Sequence, residues 1–208
     1  MGHRFLEIMG TPSVRAARAA QGSTGAYVRL EGGPPTHDRL GPAEAAFIAA
    51  RDSAYVATVS QDGWPYIQHR GGTAGFLLVL DDRRVAFAEL RGNRQYLTLG
   101  NITADSRVAL FLMDYPGRRR LKLLGRMAVG AAEDAALAPL RAANPRAERI
   151  LVVSVEAFDW NCPQHITPRF TEAEVTAAVA PLRRQLQALE AENRALRQGL
   201  DPKEQPSP

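Results

Sequence analysis

From Ser53 onward the chain is a series of short β-rich runs that fold back through tight turns, and no other feature restricts its fold as much. Tyr55-Val56-Ala57-Thr58-Val59 meets a Gln61-Asp62-Gly63 turn and returns as Trp64 to His69, the pattern of a hairpin. Phe76 to Leu80 is closed by Asp81-Asp82-Arg83 and pairs with Val85 to Ala88. Arg107 to Met113 and Leu121 to Val129 face each other across Tyr115-Pro116-Gly117, and Ile150 to Val155 is a last core strand. Roughly five to seven strands joined mainly by hairpins predict a mainly β fold with flanking helices, built as a small antiparallel barrel. Parallel strand–helix alternation is absent, as are Gly-x-Gly-x-x-Gly and Walker loops. A nucleotide cofactor must therefore be held in another way.

Helices are expected around this sheet. Residues 1–40 read as an N-terminal arm with one helix, Ser13 to Ala20, started by Thr11-Pro12-Ser13. Pro42 to Arg51 is a second short helix with Phe47 and Ile48 turned inward, and Arg91 to Asn101 a third, entered from a Gly92-Asn93 turn. Ala132 to Arg141 is a fourth. The barrel domain is expected over 41–170, a heptad helix over 171–200, and a disordered tail over 201–208.

The heptad helix carries an oligomer signal. Thr171-Glu172-Ala173-Glu174 has the form of a capping box. Val175, Val179, Leu182, Leu186, Leu189, Leu196 and Leu200 then recur in steps of four and three, with Asn193 at the remaining seam position. With Val179 at heptad position a, the leucines 182, 189 and 196 fall at d and Asn193 at a, a pattern that favours a parallel two-stranded coiled coil. Glu192 at g and Arg197 at the following e are placed to pair between chains. The competing expectation is an amphipathic helix lying on its own barrel. Pro181 predicts a kink or break. The balance favours a homodimer in which this helix supplements a larger barrel interface.

Composition closes off other classes. The 208 residues carry a net charge of +4 and are 45% hydrophobic, which suffices for a core. The arginines are scattered, so no nucleic-acid partner is expected; Arg118-Arg119-Arg120 reads as a solvated turn or, alternatively, a phosphate-binding cluster. No stretch has the length of a membrane span, and no secretory signal is expected at Met1 to Gly10. A single cysteine, Cys162, fits a reducing compartment, with cytoplasm the default. His69, His165 and Cys162 offer no ligand pair at a convincing metal spacing, so no metal is expected. Cys162 lacks a base and reads as a buried or loop thiol.

Two segments suit a phosphorylated ligand. Gly63 to Gly72 ends a strand with Gln68, His69 and Arg70, then two glycines that allow close backbone approach. Phe87-Ala88-Glu89-Leu90-Arg91-Gly92-Asn93-Arg94-Gln95 runs a strand into an expected helix start, where backbone N–H groups and the forked guanidiniums of Arg91 and Arg94 make a phosphate site.

Together with Arg51-Asp52-Ser53, Asp62-Gly63-Trp64-Pro65, Gln68-His69-Arg70-Gly71-Gly72, Arg91-Gly92-Asn93-Arg94-Gln95-Tyr96 and Trp160-Asn161-Cys162-Pro163-Gln164-His165, these segments resemble the pyridoxamine 5'-phosphate oxidase-related flavoproteins. The resemblance covers about residues 40–170. It implies an FMN-binding split barrel whose dimer interface holds two FMN molecules. Carried onto this chain, it implies a phosphate grip by Gln68, His69 and Arg70 with Asn93, Arg94 and Gln95. Phe87, Ala88 and Glu89 would pass beside the ribityl chain or flavin edge. The strand with Arg119 and Lys122, and the loop with Trp160 and Gln164, would approach the isoalloxazine, Trp160 either stacking on it or packing as core.

The chain departs from the oxidase itself, with Thr73 and Gln95 where the oxidase has lysines. The oxidase's terminal substrate segment is absent too, so oxidation of pyridoxamine phosphate is not the expected reaction. An FMN-dependent oxidoreductase acting on a small molecule is the first expectation. A flavin-binding or redox-sensing module without turnover is the second, and the same barrel holding a deazaflavin or heme the third.

Overall fold

Alternation of apolar and polar residues builds the sheet, strand by strand. In chain order, β1 (Gly2–His3) is followed by α1 (Arg4–Met9), α2 (Pro12–Ala20), α3 (Thr24–Val28), β2 (Pro35–Thr36) and α4 (Pro42–Ala49). Then come β3 (Ser53–Val59), β4 (Pro65–Gly71), β5 (Leu78–Asp81), β6 (Arg84–Leu90), α5 (Leu97–Ala104), β7 (Arg107–Asp114) and β8 (Arg119–Val129). The chain closes with α6 (Ala138–Ala143), β9 (Ala147–Trp160) and α7 (Glu172–Gly199). This computed structural model describes residues 1–30, 32–160 and 163–199. The expectations for Asn161, Cys162, Leu200 and the 201–208 tail lie outside the described residues.

Seven strands form one antiparallel sheet in the order β4-β3-β7-β8-β9-β6-β5. Each expected hairpin is present, and the barrel is open, with β4 and β5 as its edges. Every second side chain of β7 (Val108, Leu110, Leu112) and β8 (Leu121, Leu123, Met127) is buried with Val56, Phe87, Val153 and the Phe47 and Ile48 of α4, as the two-residue period of a strand requires. Phe47 and Ile48 therefore point inward as expected. β6 reads as a continuous apolar run because it serves two cores: Val85 and Phe87 face the main cluster, Ala86 a smaller one with Leu137, Leu140 and Ile150. Between Leu124 and Gly125 the β8–β9 register shifts. A Cβ on Gly125 would meet the Ser154 carbonyl oxygen at 2.2 Å, so only glycine lets the strands come this close.

The chain divides into two units, Met1–Ile166 and Thr167–Pro208. In the first unit, β1 and β2 pair in parallel and the His3 and His37 rings stack at 3.9 Å. His3 Nε2 lies 3.5 Å from Asp159 of β9. Burial and the neighbouring His37 hold His3 below its ordinary pKa, outweighing the pull of Asp159.

The N-terminal arm, expected to hold one helix, holds three among its described residues (α1, α2 and α3), and three further elements depart furthest from their sequence-based bounds. The expected Arg91–Asn101 helix begins only at Leu97, because Arg94 and Tyr96 adopt left-handed backbone (φ 61° and 52°), which no α-helix tolerates. The expected Ala132–Arg141 helix is a 3₁₀ turn at Ala135–Leu137 leading into α6. β9 extends well past Ile150–Val155 because β6 pairs along its first half and β8 along its second. In the second unit, Thr171 and Glu174 make the reciprocal capping bonds (Glu174 N–H to Thr171 Oγ1, 3.2 Å; Thr171 N–H to Glu174 Oε2, 2.7 Å). α7 runs without a break through Pro181.

Candidate functional site

β4 is an edge strand whose side chains alternate between two surroundings. Tyr66, Gln68 and Arg70 turn toward a small polar recess, which Glu89, Asn93, Arg94, Gln95, Tyr96, Thr98 and Glu148 also line. The recess has a volume of about 50 Å³. His69 and Ile67 take the other face of the strand, where the His69 ring meets the edge of Tyr55 at 5.7 Å. Consecutive strand residues cannot share a face. Gln68 and Arg70 therefore come together, and His69 does not join them.

Glu89 organises the recess. It is 6% exposed, and its carboxylate accepts from Arg70 Nη2 at 2.9 Å and from Arg149 Nη1. The β6–β9 register places Glu89 directly opposite Arg149. Arg149 is held above its ordinary pKa, first of all by the hydrogen bond to Glu89. Thr98, at the start of α5, links two of the expected ligands: it donates to Gln68 Oε1 at 2.9 Å and accepts from Arg70 Nη2 at 3.3 Å. Arg70 Nε is buried and finds no hydrogen-bond partner among the described residues. Phe87 lies in the core beneath, its ring 5.9 Å from the Arg70 guanidinium carbon, and Ala88 packs toward the smaller cluster.

The loop from Arg91 to Tyr96 forms the opposite wall. Asn93 Nδ2 donates to Gln95 Oε1 at 3.0 Å, and Asn93 Oδ1 accepts from the Gln95 N–H at 3.2 Å. This side-chain turn replaces helical bonding. Arg94 is exposed, and a hydrogen bond to Tyr96 raises its pKa. Tyr96 donates to Glu148 Oε1 at 3.3 Å. Left-handed non-glycine residues cost about 1–3 kcal/mol each and collect at ligand sites.

A second concavity of about 680 Å³ lies on the outer face of the sheet, lined by Tyr55, Ile67, Phe111, Leu124, Lys122 and, from α1, Phe5 and Met9. It is almost wholly apolar, although Tyr55 is 37% and Ile67 63% exposed. Lys122, the one cation in its lining among the described residues, donates to Asp159 Oδ2 at 3.1 Å.

The remaining expected residues lie apart from both. Trp160 donates to Glu44 Oε1 at 2.7 Å and meets the Phe47 ring edge-on at 4.8 Å, so it packs as part of the core. Gln164 is exposed in the turn after the barrel. In the arginine run, Arg119 pairs with Asp114 of its own turn at 3.0 Å. Among the described residues no three His, Cys, Asp or Glu side chains converge as a metal site would need.

Sequence reasoning missed Tyr66, Thr98, Glu148 and Arg149. Tyr66 was within reach, since it precedes Gln68 by one strand period. Glu148 and Arg149 join the site only through the pairing of β9 with β6, which no local pattern announces.

The sequence model of the family described as pyridoxamine 5'-phosphate oxidase matches residues 40–162. No curated protein shows significant similarity to the chain. Among solved structures, HupZ of Group A Streptococcus is 17% identical, covering 63% of this chain and 99% of its own, with a TM-score of 0.48. A Clostridium acetobutylicum protein related to general stress protein 26, of the pyridoxinephosphate oxidase family, is 14% identical over 62% of this chain and 92% of its own, with a TM-score of 0.42. A heme binding protein from Mycobacterium smegmatis is 16% identical over 59% and 55%, with a TM-score of 0.43.

Proposed function

The chain belongs to the pyridoxamine 5'-phosphate oxidase family, and on that premise we propose that it is a homodimeric, cytoplasmic flavoprotein that binds FMN and acts as an oxidoreductase on a small molecule. One observation carries the proposal. Among the described residues around the recess, Arg70, Arg94 and Arg149 stand against Glu89 and Glu148, three positive charges to two negative, and the buried Arg70 Nε finds no hydrogen-bond partner. A buried donor beside excess positive charge suits a phosphate oxygen, so these residues fit a phosphomonoester.

Gln68, Arg70, Arg94 and Gln95 would hold the phosphate, with Asn93 shaping the turn that presents them. Glu89 and Thr98 orient the Arg70 guanidinium and the Gln68 amide in advance, which lowers the entropy lost on binding. The apolar concavity of β3, β4, β7 and β8 lies on the opposite face of β4 from the recess and suits a second copy that would close over it. Lys122 lines its rim with a positive charge. FMN, when bound, supplies the hydride and electron transfer. The chain needs no acid–base residue of its own for that chemistry; its part is to bind, to orient and to keep water from the ring.

Titration of the purified protein with FMN, followed by flavin fluorescence and absorbance, tests the proposal. Tight binding is expected, weakened in Arg94→Ala by about 1.5–3 kcal/mol, the loss of a charge-assisted contact. A colourless protein that takes up no FMN overturns it. A native spectrum of heme or deazaflavin type would replace the cofactor while keeping the barrel. Anaerobic reduction by NADH or NADPH is expected; failure with both leaves a binding module without turnover.

A further inference from the structure

α7 has a narrow apolar seam that nothing in the flavin site requires. Leu182, Leu186, Leu189 and Leu196 are 65%, 57%, 55% and 62% exposed. They repeat at alternate heptad positions a and d along a helix of 28 residues, about 42 Å long. We propose that α7 pairs in parallel and in register with α7 of a second copy, as a two-stranded coiled coil over Val175 to Leu196.

Three features choose this occupant. A helix seated on a globular core carries a broad stripe that takes in e or g as well as a and d. Here e and g are Thr176, Arg183, Glu190 and Arg197 with Ala178, Gln185 and Glu192, polar or charged at all but Ala178, so the apolar face narrows to the two-position seam of a coiled coil. Asn193 stands at a. In a parallel pair it meets its own symmetry mate, amide to amide, whereas an antiparallel pair sets it against a leucine. Glu192 at g and Arg197 at the following e are oppositely charged and five residues apart. That spacing does not bring side chains together within one helix, but it is the g-to-e spacing that joins neighbouring chains in a parallel pair. Pro181 falls at c, on the outer face, so its missing N–H leaves the seam intact and the helix passes through it.

Cross-linking of the full chain tests the pairing without reference to the flavin. In a Cys162→Ser background, Asn193→Cys and Leu196→Cys are each expected to form a covalent dimer on mild oxidation about tenfold faster than Arg184→Cys, which lies at the outer f position. Glu192→Arg is expected to slow the Leu196→Cys reaction about fivefold, and the added exchange Arg197→Glu to restore it. Equal rates at 184, 193 and 196 overturn the coiled coil and assign the seam to another surface. A charge exchange that fails to restore the rate overturns the parallel register. Loss of FMN binding in the parent chain leaves both outcomes readable.

Discussion

Exchanging Glu89 for glutamine keeps the side chain's shape and removes its charge, and the structure allows the consequence to be worked out. The carboxylate is buried between the guanidiniums of Arg70, 2.9 Å away, and Arg149, whose side chains are 15% and 21% exposed. In Glu89→Gln the two cations face one another across a neutral amide whose own N–H₂ turns a donor toward one of them. Removing one partner of a fully buried ion pair costs about 3–5 kcal/mol. Both arginines keep some water contact, and that screening brings the cost below the fully buried range, to about 2–3 kcal/mol. At about 2–4 °C per kcal/mol for a chain of this size, Tm falls by about 4–12 °C in a thermal melt. The variant also has greater excess positive charge around the recess. Inorganic phosphate should therefore raise its Tm more than that of the parent chain, while sodium chloride at equal ionic strength does not. A Tm within about 1 °C of the parent, or equal rescue by phosphate and chloride, would refute the reasoning, because Glu89 would then not be what keeps the two arginines together.

Two further perturbations probe the surroundings of the site. Trp160→Phe keeps the ring against Phe47 but strips Glu44 Oε1 of its 2.7 Å donor; leaving that acceptor unsatisfied should cost about 1–3 kcal/mol, read as a lower urea midpoint. FMN affinity should not change, and a large loss there would return Trp160 to the ligand. His3 is held below its ordinary pKa of 6.5 by burial and by His37, so folding disfavours its charged form. Its stabilising contribution is complete above the unfolded value and is lost as pH falls through the lower folded value. Protection of the N-terminal segment against hydrogen exchange should accordingly weaken as the pH falls below 6.5. His3→Phe should flatten that dependence; an unchanged slope would locate the titrating group elsewhere.

The hairpins, the capped start of α7 and the inward Phe47 and Ile48 were legible in the sequence because each is set within a few residues. A turn is decided by Asp62-Gly63 or Tyr115-Pro116-Gly117, a strand face by alternation, a helix start by Thr171 and Glu174. Half of the candidate site was legible for the same reason: Gln68, Arg70, Glu89 and the loop from Asn93 to Gln95 lie in two short segments with distinctive residues. The tertiary structure decided the rest. It brought Arg149 to Glu89 across 60 residues and Trp160 to Glu44 across 116. It turned His69 away from Arg70, and it delayed α5 to Leu97 by bending Arg94 and Tyr96 into left-handed backbone. Local propensity says which residues form a strand. Which strand lies beside it, and in what register, depends on how the whole barrel fills its core, and that pairing chooses the charges that meet in the recess.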